Sequence, residues 1–231
     1  MAQDLQAALA HHQAGRLSEA AALYREALKT ESGNSDALHL LGVAEHQLGR
    51  HAESIDLIEK AIALEPTRPD YLSNLGEAQR ALGRMADAER SYRAALALDP
   101  TFAAAHANLG NALLAQQRLR ESAKSLRRAV DLAPGNAEFH VNLAIALHGM
   151  EHLHEAEQSA RLALALRPEM VEAHSILAVA LLELGRPDEA ERTCREALAL
   201  KPDSAEAHNI LGNTLRELGR LQSVGRALAS R

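Results

Sequence analysis

Three asparagines, Asn74, Asn108 and Asn142, stand 34 residues apart. Asn111 follows the second of them, and Glu77 and Arg80 follow the first. A primary amide offers both donors and an acceptor. A row of amides can therefore bond the backbone of an extended peptide without reading its side chains. The competing reading is that asparagine merely suits this place in a repeating structure. The same register then changes character, to Ile176 and Ile210. With Val141, Ile145 and Val179 these make an apolar wall, and Leu5, Leu9, Leu40 and Val43 make a similar set near the start. Exposed apolar patches mark interfaces; equally, residues 221–231 or a neighbouring chain could cover the later wall.

The chain holds twelve histidines, which raises metal ligation. His106, His140, His174 and His208 also recur every 34 residues. That spacing keeps them apart, whereas shared ligation needs every donor about 2 Å from one ion. They read as packing residues. His148, His152 and His154 are close in sequence, but His152 and His154 straddle a turn, so solvated histidines are expected rather than zinc. The run His154-Glu155-Ala156-Glu157-Gln158 lacks the second histidine of a zincin. Arg118, Arg120, Lys124, Arg127 and Arg128 form a basic run that reads as a solvated helix face, although an acidic partner could use it. The lone Cys194 excludes an intramolecular disulfide and reads as an inert buried thiol. There is no glycine-rich phosphate loop, no nucleophile elbow, and no paired carboxylate outside the repeat pattern. Catalytic, cofactor-binding and metal residues are therefore expected to be absent, and the chain is not expected to be an enzyme.

The elements that carry these residues repeat. Pro66, Pro100, Pro134, Pro168 and Pro202 are each 34 residues after the last. Between them lie two helical patterns and a turn. Of the 231 residues, 47% are hydrophobic but only 2% aromatic. Most of that apolar mass is Ala and Leu, both strong helix formers, and strand-like runs are missing. The expected class is all-α. A net charge of −6 and a pI near 6.1 argue against general nucleic-acid binding, which needs a basic face. No apolar run approaches the ~20 residues of a membrane span, and the N-terminus does not read as a signal peptide. A cytoplasmic protein without membrane insertion is expected.

Aligning on the prolines gives repeats 1–34, 35–68, 69–102, 103–136, 137–170 and 171–204, with a partial seventh at 205–231, read as one array. In five of them helix A ends at a glycine that suits a left-handed cap: Gly15, Gly49, Gly83, Gly185 and Gly219. Repeats four and five carry Gln117 and Glu151 there, so tighter or differently capped turns are expected. Proline closes helix B, and Asp or Ser beyond it can cap the next helix. Small residues recur at position eight (Ala8, Gly42, Gly76, Gly110, Ala144, Ala178, Gly212) and line close helix contacts. In repeat seven, Val224 and Gly225 fall in mid-helix, so residues 221–231 read as a frayed or loosely packed end, or a cut within a longer polypeptide.

The motif Asn74-Leu75-Gly76 followed by Ala88, Tyr92, Ala95 and Pro100 resembles the tetratricopeptide repeat family, and the resemblance covers essentially the whole chain. It implies an α-solenoid of stacked antiparallel helix pairs wound into a right-handed superhelix. Helix A would line a concave groove, through positions two, five, six, nine, twelve and thirteen. The family's aromatic at position 24 survives only as Tyr24 and Tyr92, and Ala160 there predicts a thinner core. The asparagine row is similar to the ladder in the superhelix of O-linked N-acetylglucosamine transferases. Some relatives clamp a carboxylate with basic groove residues. Those residues are absent here, which disfavours that role.

The resemblance and the groove residues together imply a protein–protein interaction scaffold whose partner is a protein or peptide. Its expected groove comprises Asn74, Asn108, Asn111, Asn142, Glu77, Arg80, Ile145, Ile176, Val179 and Ile210. A second reading makes the chain the substrate-recruiting arm of a larger glycosyltransferase-, sulfotransferase- or methyltransferase-like enzyme. A third is self-association through the apolar patches or unpaired end helices.

Overall fold

The computed structural model describes the backbone of residues 2–229 and the side chains of residues 5–219. Among the described residues there are thirteen α-helices and no strand. They are α1 (Ala2–Gln13), α2 (Leu17–Thr30), α3 (Ser35–Gln47), α4 (His51–Leu64), α5 (Pro69–Ala81), α6 (Met85–Leu98), α7 (Ala103–Ala115), α8 (Leu119–Leu132), α9 (Ala137–Gly149), α10 (Leu153–Leu166), α11 (Val171–Glu183), α12 (Pro187–Leu200) and α13 (Ala205–Ala229). Odd-numbered helices are the helix A of each repeat and even-numbered ones helix B. The all-α class read from composition is the class observed.

The chain divides into two compact units, Met1–Ala112 and Leu113–Arg231. In the first, α1 packs on α2, α3 on α4 and α5 on α6, with α2 on α3 and α4 on α5. The second repeats the scheme, pairing α9 with α10 and α11 with α12, with α8 on α9, α10 on α11 and α12 on α13. Both are helix pairs stacked on helix pairs, because each pair has apolar surface left for the next.

The A-to-B turn is the same at six places. Gly15, Gly49, Gly83 and Gly185 have φ between 73° and 81°, in the left-handed region where a Cβ is penalised. Gln117 and Glu151 adopt it too, at φ 60° and 61°. Each turn closes with the same two bonds, as in Gln117 N–H to Leu114 O (2.9 Å) and Arg118 N–H to Leu113 O (3.0 Å). This is the Schellman pattern that satisfies a helix's last carbonyls. The tighter or differently capped turns expected at Gln117 and Glu151 are therefore not found. The array imposes the glycine geometry on residues poorly suited to it.

At the other end of each pair, helix B stops at Leu64, Leu98, Leu132, Leu166 or Leu200, two residues before proline. Proline restrains its predecessor from helical geometry; Asp99 leaves at φ −132° and ψ 95°. The next helix A is capped by Asn34 on Ala37 N–H (2.9 Å), Asn136 on Glu138 N–H (3.0 Å) and Ser204 on Ala207 N–H (3.3 Å). His106, His140, His174 and His208 each donate Nε2–H to the carbonyl of the proline six residues earlier, at 2.8–3.0 Å. These histidines tie the inter-repeat loop to helix A.

The small-residue seam is matched to its partner. A Cβ placed on Gly76 would lie 2.5 Å from the Tyr92 ring, and one on Gly42 would lie 2.6 Å from Ile58. Where position 24 is small, position eight gains a methyl: Ala144 shares a cluster with Ala160, and Ala178 with Cys194. Repeat one departs from the rule, burying Ala8 and Tyr24 together. Ala160 is fully buried, and burial pushes the Cys194 thiol up, as suits an inert core sulfur.

The seventh repeat does not turn. Gly219 is not left-handed, and α13 runs on through it to Ala229. The expected turn after Gly219 is thus replaced by continuous helix. The order expected of residues 221–231 concerns side chains outside those described.

Candidate functional site

Positions two, five, six and nine of each helix A share a face, because residues three and four apart lie together on a helix. In the first unit that face belongs to α3, α5 and α7. Asn74 on α5 is half-buried, and its Nδ2 donates to His39 Nε2 at 2.8 Å. His39 stacks on Tyr71 with ring centroids 4.2 Å apart. Burial drives its basicity down to about 4, against the pull of the Asp70 carboxylate. A neutral ring is what Asn74 requires, since Nε2 must accept. The Tyr71 hydroxyl donates to Asp36 at 2.7 Å, and Arg68 lies 4.4 Å from the Tyr71 ring centre. Arg68 also bonds Asp36 (3.1 Å) and Asp70 (2.9 and 3.0 Å). Asn74 is therefore one end of a network joining α3 to α5, with part of its amide already used.

Glu77 and Arg80 pair with each other at 3.2 Å, and the Tyr92 hydroxyl donates to Glu77. Burial, and then the adjacent Glu77 carboxylate, push the Tyr92 hydroxyl well up. Glu77 and Arg80 thus tie α5 to α6 before they meet any ligand. Asn108 is half-buried and makes no bond to protein. Asn111 keeps its side-chain oxygen buried without a partner.

In the second unit the face belongs to α9, α11 and α13, which touch in that order. Asn142 is half-buried and unbonded. Ile145 is 36% exposed. Ile176 and Val179 are half-buried, each packed against a core cluster. Ile210 differs from its expected place on the wall. It is 6% exposed and sits in the core with Ala178 and Cys194, so it offers no ligand surface. At the edge, His148 meets Glu183 at 3.1 Å.

The remaining sequence candidates are dispersed. His152 bonds Glu155 at 3.0 Å, while His148 faces Glu183. Among the described residues no three His, Cys, Asp or Glu side chains are placed to hold a metal. Of the basic run, Arg118 pairs with Glu121 and Arg127 with Glu155, and Arg120, Lys124 and Arg128 are exposed on α8. Among the described residues no helix is long and apolar enough to cross a membrane.

Sequence reading missed His39 as the partner of Asn74. The signal was available: position five of one repeat faces position six of the next, and only at His39 and Asn74 does an imidazole stand opposite an amide. It also missed Glu45, fully buried and bonded to Arg25 (2.6 Å) and Arg50. A carboxylate at a helix position filled elsewhere by Leu113, Leu147 and Leu181 was the clue.

A family model described as Tetratricopeptide repeat matches residues 5–69 and 73–137, and a second of the same description matches residues 149–214. The chain belongs to the tetratricopeptide repeat family. Members of the family serve as protein-interaction scaffolds, and this chain is such a scaffold in that general sense. Solved tetratricopeptide structures share its fold. A chain of the APC/C heterotetramer Cut9–Hcn1 aligns with TM-score 0.82 and 18% identity, covering 92% of this chain and 42% of its own. This chain thus spans less than half of that relative. PilF of Pseudomonas aeruginosa aligns with TM-score 0.81 and 18% identity over 91% of this chain and 96% of its own. YrrB, described as a tetratricopeptide protein with an unusual peptide-binding site, aligns with TM-score 0.67 and 16% identity over 80% of this chain and 96% of its own. Comparison with curated protein sequences returned no match.

Proposed function

We propose that the helix-A face of each unit binds an extended segment of a partner protein, with the amide of Asn108 in the first unit and that of Asn142 in the second bonding the segment's backbone. The observation that carries this reading is that both amides are half-exposed, each on the face of its own unit, with donors and acceptor unused by protein. A buried polar group without a partner is costly. Amides left open at a groove surface keep that capacity for a ligand. The peptide-binding site in the description of YrrB supports the same use of a related fold. Asn74 contributes less, since His39 already takes one of its hydrogens.

Affinity capture from the source organism should compare the native chain with Asn108→Ala/Asn142→Ala. The expected result is weaker capture of the same partner at unchanged helicity by circular dichroism. Equal capture would remove the amides from the binding mechanism.

A further inference from the structure

The two units treat their carboxylates differently. On α3 and α5, Asp36 and Asp70 are answered by Arg68, Glu45 by Arg25 and Arg50, and Glu77 by Arg80. On the corresponding helices of the second unit, α9, α11 and α13, Glu138, Glu172, Glu183 and Glu206 stand at the surface, and among these four only Glu138 pairs with an arginine. Glu172 and Glu206 are exposed and have no partner. Glu138 meets Arg167 at 3.1 Å, and that arginine is itself 42% exposed. Glu183 has His148 as its neighbour. Between these glutamates lies the aliphatic surface of Ile145, Ile176 and Val179.

We propose that this face takes a cationic, aliphatic segment of a partner protein. Lysine or arginine side chains would meet Glu172, Glu183 and Glu206, and an aliphatic side chain would lie on Ile145, Ile176 and Val179. The proposal rests on the peptide-docking reading above and adds the partner's chemistry. Charge complementarity decides the occupant. An acidic segment would add like charge to a face that already carries exposed glutamates, and like-charge juxtaposition is unfavourable. A neutral aliphatic segment would gain the apolar contact but leave the glutamates unanswered. A face of this kind steers association and loses strength with salt.

The test uses the full chain and three fluorescent peptides of equal length, alternating Lys/Leu, Glu/Leu and Lys/Ser, read by anisotropy. The Lys/Leu peptide should bind, weaken with added salt, and lose roughly tenfold in affinity on Glu172→Gln/Glu206→Gln. Neither glutamate holds a protein partner, so that variant should keep its circular dichroism. Ile145→Ser should weaken the Lys/Leu complex further. Equal binding of the Glu/Leu peptide, or an unchanged affinity in the glutamine variant, overturns the proposal. So does equal binding of the Lys/Ser peptide, which would show charge attraction without the aliphatic surface. If the charge tests fail while Asn142→Ala still weakens the Lys/Leu complex, peptide docking stands and only the partner chemistry is wrong.

Discussion

His39 is 7% exposed, stacked on Tyr71 and bonded by Asn74, and burial holds its basicity near 4. An unfolded histidine takes up its proton near pH 6.5. Above that pH both states are neutral and the full stability is present. Between about 6.5 and about 4 the unfolded state binds a proton that the folded state refuses, so stability falls with pH. The loss approaches about 3 kcal/mol once both states are protonated. Urea midpoints at pH 7 and pH 4.5 should therefore separate more in the native chain than in His39→Gln, where the side chain cannot titrate. An equal pH dependence in both would show that His39 is not the group responsible. The small-residue seam supports a second residue-scale prediction. Replacing a mid-helix glycine with alanine normally gains about 1 kcal/mol. At Gly76 the new methyl meets the Tyr92 ring at 2.5 Å. Overpacking of this kind costs about 1–3 kcal/mol, so Gly76→Ala should lower the thermal midpoint. Gly212 occupies the same position in α13 with nothing within 4 Å, and Gly212→Ala should raise it. Matching signs in the two variants would contradict the seam.

At the level of the element, each A-to-B turn needs one left-handed residue. Four turns supply glycine, and Gln117 and Glu151 occupy the other two at φ 60° and 61°. A left-handed non-glycine residue costs roughly 1–2 kcal/mol. Both side chains are exposed. Gln117→Gly and Glu151→Gly should each stabilise by about 1 kcal/mol, less the extra freedom given to the unfolded chain. Thermal denaturation of the two single variants and the pair checks this; a lowered midpoint in both would mean the side chains hold the turns in some other way. Helices and turns were legible here because their signals are local. The proline period, the glycine caps and the Ala and Leu content all act within a few residues. The failure at α13 is equally physical. Gly219 is a turn residue in earlier repeats, but a helix can continue through glycine at a cost of about 1 kcal/mol. The turn elsewhere is held by packing between helix A and helix B, which a glycine in the sequence cannot reveal.

Across the whole molecule, the candidate site was legible only in part. Periodicity put Asn108 and Asn142 on helix-A faces, because face membership follows from spacing alone. It could not foresee that Asn74 would be engaged by His39, that the Tyr92 hydroxyl would bond Glu77, or that Ile210 would join the core, since each depends on a side chain of another helix. The same dependence on near neighbours governs how the fold should fail. Every described cluster draws its members from adjacent helices: Ile58 with Tyr71 and Leu75, and Leu181 with Ala160 and Ala190. Stability in such a stack is a sum of local terms rather than one shared core. Ile58→Ala removes a fully buried side chain of the first unit and should cost about 2–5 kcal/mol there. Leu181→Ala does the same in the second. In native-state hydrogen exchange, Ile58→Ala should speed exchange across α3–α6 while α9–α12 keep their native rates, and Leu181→Ala should give the reverse. Uniform acceleration along the chain by either substitution would mean that the protein opens as a single cooperative body, and that the local reading of its packing is wrong.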